Sequence, residues 1–123
     1  MQRVVIIASI GATAFIVFTM PKNSTARPIK IIGGHIIGLG SGALASIILN
    51  NIVFPHIIVY SLAVGLSMFL MVALDLEHPP ASGTALGVAI TGFSVDVLVM
   101  VITSSVVVAL AHKYLSRFLK DLT

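Results

Sequence analysis

An all-α, polytopic membrane helical bundle is the fold class this sequence predicts, and three observations carry it. Of 123 residues, 58% are hydrophobic and only 9% charged, whereas soluble domains carry about 25% charged residues. The charges are also segregated. No Asp, Glu, Lys or Arg occurs between Val4 and Pro21, between Ile31 and Leu74, or between Val97 and His112. A bilayer-spanning helix takes roughly 20 mainly apolar residues, so these intervals together hold three or four spans.

The first span is predicted over Val4 to Met20, ended by Pro21. Arg3 before an apolar run, with Ala12-Thr13-Ala14 behind it, loosely fits a secretory signal, but the run continues past Ala14, so a membrane helix is the better reading. Lys22 to Lys30 form a basic polar loop closed by Arg27-Pro28, and the second span covers Ile31 to Leu49. Asn50-Asn51, Pro55 and His56 mark a short uncharged turn before a third span from Ile57 to Leu74. The only acidic cluster follows, in Asp75-Leu76-Glu77-His78-Pro79-Pro80.

The last apolar stretch is too long for one crossing. Gly83 to His112 would make a helix of about 45 Å, against a hydrocarbon core of about 30 Å. Either one helix projects or tilts, or the chain breaks. The break is favoured at Gly92, giving a short segment (Ala81 to Thr91) and a last span (Phe93 to His112) that Asp96 would cap. A short apolar segment led by two prolines is tolerated at membrane depth only where it is buried in protein or lines a cavity. The expectation is therefore one membrane domain over residues 1–123, with about four spans plus a re-entrant or broken helix after His78-Pro79-Pro80. Four crossings put both termini on one side with Arg3, Lys113, Arg117 and Lys120, against Lys22, Arg27 and Lys30 opposite. That bias of four to three points to cytoplasmic termini.

The charge pattern excludes several function classes. All seven basic residues sit at or beyond span ends, as headgroup and topology signals do, and no soluble domain exists to gather them into a nucleic-acid-binding face. The absence of Cys removes disulfide and thiol chemistry. No His-Glu-x-x-His, no paired intramembrane carboxylates and no phosphate-binding glycine loop occur, so the chain reads as a non-enzyme needing no metal or cofactor.

Small residues recur at helical spacing. Gly34, Gly38, Gly42 and Ser46 form one row, Gly83, Gly87 and Thr91 another, and Ala8/Ala12 with Ser9/Thr13 a weaker third. Such rows let helices approach closely in lipid, and tight packing within or between subunits accounts for them. Glu77-His78-Pro79-Pro80-Ala81-Ser82-Gly83-Thr84 is the strongest local signal. Its prolines disfavour helical backbone just before them and preset a new helix. Amides near Ser82 to Thr84 would then be open donors at a positive helix end, an anion site; a rigid capping turn is the plainer alternative. His78 could sense protons, and Glu77 could pair with it, with Arg27 or with Lys30. His35 follows Gly33-Gly34 and is expected near His78, whereas His56 and His112 lie toward the other side.

These residues resemble the HPP family of integral membrane proteins, named for a His-Pro-Pro motif. The matching blocks are His78-Pro79-Pro80-Ala81-Ser82-Gly83-Thr84-Ala85-Leu86, then Ser9-Ile10-Gly11-Ala12-Thr13-Ala14 leading to Pro21 and Arg27-Pro28, and Ile32-Gly33-Gly34-His35. The resemblance implies a four-helix membrane protein of a family regarded as transporters, with plastid and cyanobacterial relatives linked to nitrite uptake. It also implies that His78, Pro79, Pro80, Gly83 and Thr84, with Gly11, Thr13, Gly34 and His35, belong to a shared core. Ser82-Gly83 after the motif and Asp75-Leu76-Glu77 before it depart from the pattern of nitrite-linked members, which touches the substrate more than the class.

The expected function is a small transporter or channel subunit for a nitrite-like inorganic anion, in a homo-oligomer in a cell membrane such as a prokaryotic inner membrane. The ion would lie at the helix start after the motif, with His78, Pro79, Pro80, Ser82, Gly83, Thr84, His35, Thr13, Gly34 and Glu77 as binding or pathway residues. A non-transporting scaffold or sensor subunit is the alternative; it predicts a dry bundle with no polar cavity beside His78.

Overall fold

The computed structural model describes residues 3–122. Its helices are α1 (Val4–Thr19), α2 (Pro28–Asn51), α3 (His56–Ala73), α4 (Pro80–Thr91) and α5 (Val95–Leu115), with a 3-10 turn at Ser24–Ala26 between α1 and α2. Punctuation follows the sequence. Pro28 occupies the first turn of α2, where its missing N–H costs nothing. Pro55 precedes α3 and Pro80 begins α4. The expected break is present at Gly92, whose φ of 83° and ψ of 157° fall where only glycine is comfortable. Ser94, not Asp96, caps α5: its Oγ accepts the Val97 amide at 3.2 Å. Asp96 sits in the first turn, 3.8 Å from Arg3.

Three helices, α2, α3 and α5, are long and apolar enough to cross a membrane. α1 is shorter at 16 residues and α4 has only 12, about 24 Å and 18 Å. Contacts between the ends nevertheless show that α4 runs from one end of the bundle toward the other. At one end, His112 Nε2 donates to the Pro21 carbonyl at 2.7 Å, and the Leu122 amide donates to the Thr19 carbonyl at 2.7 Å. The α3–α4 connection meets the start of α2 at the same end, through Lys30 and Glu77, 2.9 Å apart. At the opposite end, Arg3 meets Asp96. The five helices therefore alternate in direction, and the two chain ends lie at opposite ends of the bundle. This corrects the expectation that both termini share a side, and it moves His112 to the end that holds Lys22, Arg27 and Lys30. Six of the seven basic residues gather there: Lys22, Arg27, Lys30, Lys113, Arg117 and Lys120.

The short α4 is the centre of the packing, bounded by α1, α2 and α3. Pro80, Ala81, Thr84, Ala85, Gly87, Val88 and Ala89 are buried along it. The glycine row of α2 faces it so closely that a Cβ at Gly34 would lie 2.7 Å from His78 Cβ, and one at Gly38 would overlap the Ala81 carbonyl. A Cβ at Gly42 would fall 2.6 Å from the Ala85 carbonyl. Gly83 lies against Ser9 and Gly87 against Ile6 of α1. These rows thus make intramolecular seams. The third row splits, with Ser9 and Thr13 buried and Ala8 and Ala12 on the outer face. Outward faces carry Ile7, Phe15, Leu62, Phe69, Val99 and Val107, as a surface solvated by lipid requires.

Candidate functional site

Three helices and one loop bring polar side chains together near the basic end. On α1, the inward positions Ile6, Ser9, Thr13 and Val17 recur at helical spacing, so the two hydroxyls share one face. On α2, His35 follows Gly34, whose missing side chain gives His78 its space. On α4, Thr84 lies one turn after Pro80 and faces Ser9. His35, His78, Thr13 and Thr84 have no exposed surface, and Ser9 has 5%.

The side chains form a continuous line. His78 Nδ1 lies 2.8 Å from the Thr25 carbonyl. A carbonyl only accepts, so Nδ1 carries the hydrogen and donates. His78 Nε2 lies 2.8 Å from Thr13 Oγ1, which lies 3.0 Å from His35 Nε2. His35 Nδ1 is 2.8 Å from Thr84 Oγ1, and that hydroxyl is 2.7 Å from Ser9 Oγ. Ser9 Oγ donates to the Pro80 carbonyl at 2.6 Å. The two imidazoles meet edge to face, centroids 5.2 Å apart. They converge on a hydroxyl and no carboxylate joins them; among the described residues no group of three metal-ligating side chains forms.

Of the expected site residues, His78, His35, Thr13 and Thr84 are in direct contact, with Gly34 behind His78 and Gly83 against Ser9. Pro80 contributes its carbonyl. Ser82 stays outside, its Oγ donating to the Pro79 carbonyl at 2.7 Å. Glu77 also stands apart, paired with Lys30 at 2.9 Å, while Asp75 lies 3.3 Å from the same ammonium. Lys30 holds the Glu77 carboxyl below the usual carboxylate range through this hydrogen bond.

The start of α4 does not offer the open amides expected there. The Ala81 amide donates to the His78 carbonyl at 2.8 Å, and the Ser82 amide to the Pro79 carbonyl at 3.1 Å. Pro79 is itself helical (φ −49°, ψ −40°) rather than extended, so the turn is already wound and closes on itself. Any ion here would meet side chains, not backbone donors. Sequence reasoning took Ser9 for a packing residue and assigned the Thr25 carbonyl no role. The spacing of Ser9 and Thr13 on one α1 face was the available signal for the first; a backbone carbonyl in a loop has none.

One cavity borders the line and another lies beyond it. One of about 210 Å³ lies between α3 and the start of α4, lined by Met68, Met71, Val72, Glu77, His78, Pro79 and Ser82. A more polar one of about 260 Å³ lies at the far end, where Ser46, Asn50, His56, Tyr60 and Thr91 meet.

The sequence matches the family described as "HPP, transmembrane region" over residues 1–120. It is 37% identical over 87 residues to a transmembrane protein of Dictyostelium discoideum, an alignment covering 69% of this chain and 30% of that protein. The chain thus corresponds to under a third of that relative's length. No solved structure matches. The chain belongs to the HPP family of membrane proteins.

Proposed function

We propose that this HPP-family chain is a transporter or channel subunit for a small inorganic anion of nitrite's size and charge, assembled as a homo-oligomer in a cell membrane. The observation that carries the reading is the buried line His78–Thr13–His35–Thr84–Ser9 inside an otherwise apolar bundle. Polar side chains inside a membrane protein are expensive and mark ion and substrate pathways by default. Hydroxyl and imidazole donors suit an oxyanion, which would take up donors that now serve one another. The line lies toward the end bearing six basic residues, which would raise the local anion concentration. The positive-inside bias makes that end cytoplasmic. Gly11, Gly40 and Gly65 have open space beyond their Cα atoms on outer faces, and such small positions suit close contact with further copies.

The test is flux. Purified chain in proteoliposomes should carry nitrite faster than protein-free vesicles, with nitrate, formate and chloride as comparators. Absence of flux for all four by correctly inserted protein would sink the reading. One observation favours a second reading, a non-transporting scaffold or sensor subunit. The line is sealed from solvent, and apolar Met68, Met71 and Val72 dominate the cavity beside His78. On the transport reading the α3–α4 contact must open to admit the ion; on the second it stays shut.

A further inference from the structure

The polar line is one hydrogen short of its own bonds. It runs from the Thr25 carbonyl through His78, Thr13, His35, Thr84 and Ser9 to the Pro80 carbonyl, a chain of six links between 2.6 and 3.0 Å. Each link needs one hydrogen. Both ends are carbonyls, which have none to give. A neutral imidazole brings one hydrogen and so does a hydroxyl, so five neutral side chains supply five hydrogens for six links. The Ser9 carbonyl, 3.2 Å from Thr13 Oγ1, is a longer, alternative acceptor for the Thr13 hydrogen and stands outside these six links. With the line neutral, one link sets lone pair against lone pair in a dry interior, where an unmade bond is costly.

One added proton removes the shortfall, and only the imidazoles can hold it. With His78 doubly protonated, hydrogens point from His78 to the Thr25 carbonyl, and from His78 through Thr13, His35, Thr84 and Ser9 to the Pro80 carbonyl. With His35 doubly protonated, the same six links are made and only the Thr13 hydroxyl has reversed. The two arrangements interconvert as the His78 Nε2 hydrogen passes to Thr13 Oγ1 while the Thr13 hydroxyl hydrogen passes to His35 Nε2. Two hydrogens each hop once, the net transfer is one proton from His78 to His35, and Thr13 stays neutral with its hydroxyl reversed.

We propose that His78, Thr13 and His35 form a binding site for one proton, relayed between the two Nε2 atoms by the Thr13 hydroxyl, and that this proton travels with the anion. The coupling rests on the transport reading above; the proton site does not. Burial opposes a cationic ring, and the packed elements bring it no neutralising group. Lys30 of α2 is already paired with Asp75 and Glu77 of the α3–α4 connection. Arg27 precedes α2, and α4 has no charged residue. Arg3 of α1 and His56 of α3 are at the far end, and His112 of α5 donates to the Pro21 carbonyl. An entering anion would supply the missing countercharge, and the pair would cross as a neutral unit.

The test uses the full chain, labelled with nitrogen-15 at histidine, in detergent micelles from about pH 8 to about pH 4.5. His35 and His78 are expected to shift together at one midpoint, taking up one proton between them. Thr13→Val removes two links and one hydrogen, leaving four links and four hydrogens. The neutral line is then complete, and proton affinity should fall at least about tenfold. Thr13→Ser keeps the hydroxyl and should restore the midpoint. Two independent midpoints, no uptake before helicity is lost, or a Thr13→Val chain that titrates like the parent would each overturn the site. If Thr13→Val does not fold, the parent and Thr13→Ser titrations decide. In proteoliposomes, an imposed pH gradient should drive nitrite uptake above the protein-free rate. Flux indifferent to the gradient overturns coupling alone; absence of any flux removes the transport reading and leaves the proton site to the titration.

Discussion

Gly34→Ala is the sharpest perturbation of the site, because a single methyl group there meets His78 more closely than it meets the Leu76 carbonyl or Ala81. The added Cβ would stand 2.7 Å from His78 Cβ. Carbon atoms rest at about 3.5–4.0 Å, so the two must part by about 1 Å. α2 has little freedom to retreat as a body, because Gly38 and Gly42 on the same face already touch the Ala81 and Ala85 carbonyls of α4. The displacement falls on His78, held at 2.8 Å on both ring nitrogens. A shift of about 1 Å takes both bonds beyond useful length, each worth about 0.5–1.5 kcal/mol, with overpacking of about 1–3 kcal/mol besides. Gly40→Ala is the control, since nothing lies within 4 Å of its Cβ position and both substitutions gain the same helix propensity. Thermal unfolding in detergent should therefore place Gly34→Ala about 2–6 kcal/mol below Gly40→Ala, with the His78 ring resonances displaced. Equal stability of the two variants would refute the reasoning.

Two further outcomes test the frame around the site. Since the chain has no Cys, single replacements report topology: Val53→Cys between α2 and α3 should react with an impermeant maleimide from outside the cell, and Lys120→Cys only after permeabilisation. Labelling of both from one side would refute five crossings; the reverse pattern would refute the orientation alone. The Glu77 carboxyl, lowered by Lys30, contributes stability that is present above its unfolded value of about 4.3 and lost as pH falls through the lower folded value. Thermal midpoints should thus fall more steeply between about pH 5 and about pH 3 in the parent than in Glu77→Gln. Parallel curves would mean that the Lys30 pair contributes nothing.

Much of this architecture was legible because hydropathy and length act through the same physics that folds the chain. The intervals free of charge became helices, and an overlong final stretch led to Gly92. The parity of the crossings was not legible. A 12-residue α4 is too short to register as a span by hydropathy, yet it carries the chain from the Lys30–Glu77 contact to the Arg3–Asp96 end. Reading it as a re-entrant or broken piece, outside the alternation of directions, put Lys113, Arg117 and Lys120 opposite Lys22, Arg27 and Lys30. The proximity of His35 and His78 followed from two loops sharing an end, which holds for either count. The role of Ser9 did not follow, because a serine in a small-residue row packs closely whether or not its hydroxyl has work to do; only the position of Thr84 distinguishes the cases. The sealed start of α4 was hidden for a similar reason. Two prolines predict a helix start, but not that the His78 and Pro79 carbonyls will close over its first amides.

The shortness of α4 is what joins the two polar regions into one argument. A helix that stops after 12 residues leaves its last carbonyls and the extended Gly92 backbone without helical partners, at a depth where irregular backbone survives only against protein or a cavity. The polar cavity of Ser46, Asn50, His56, Tyr60 and Thr91 lies at that point. Thr84 belongs to the histidine line and Thr91 to the cavity, so seven residues, about 10 Å of helix, separate them. That interval is walled by Ala85, Gly87, Val88 and Ala89, with Gly42 of α2 opposite. A conventional span would interpose about 30 Å of hydrocarbon. On the transport reading, a proton and anion leaving the histidine line therefore face an apolar barrier a third as thick.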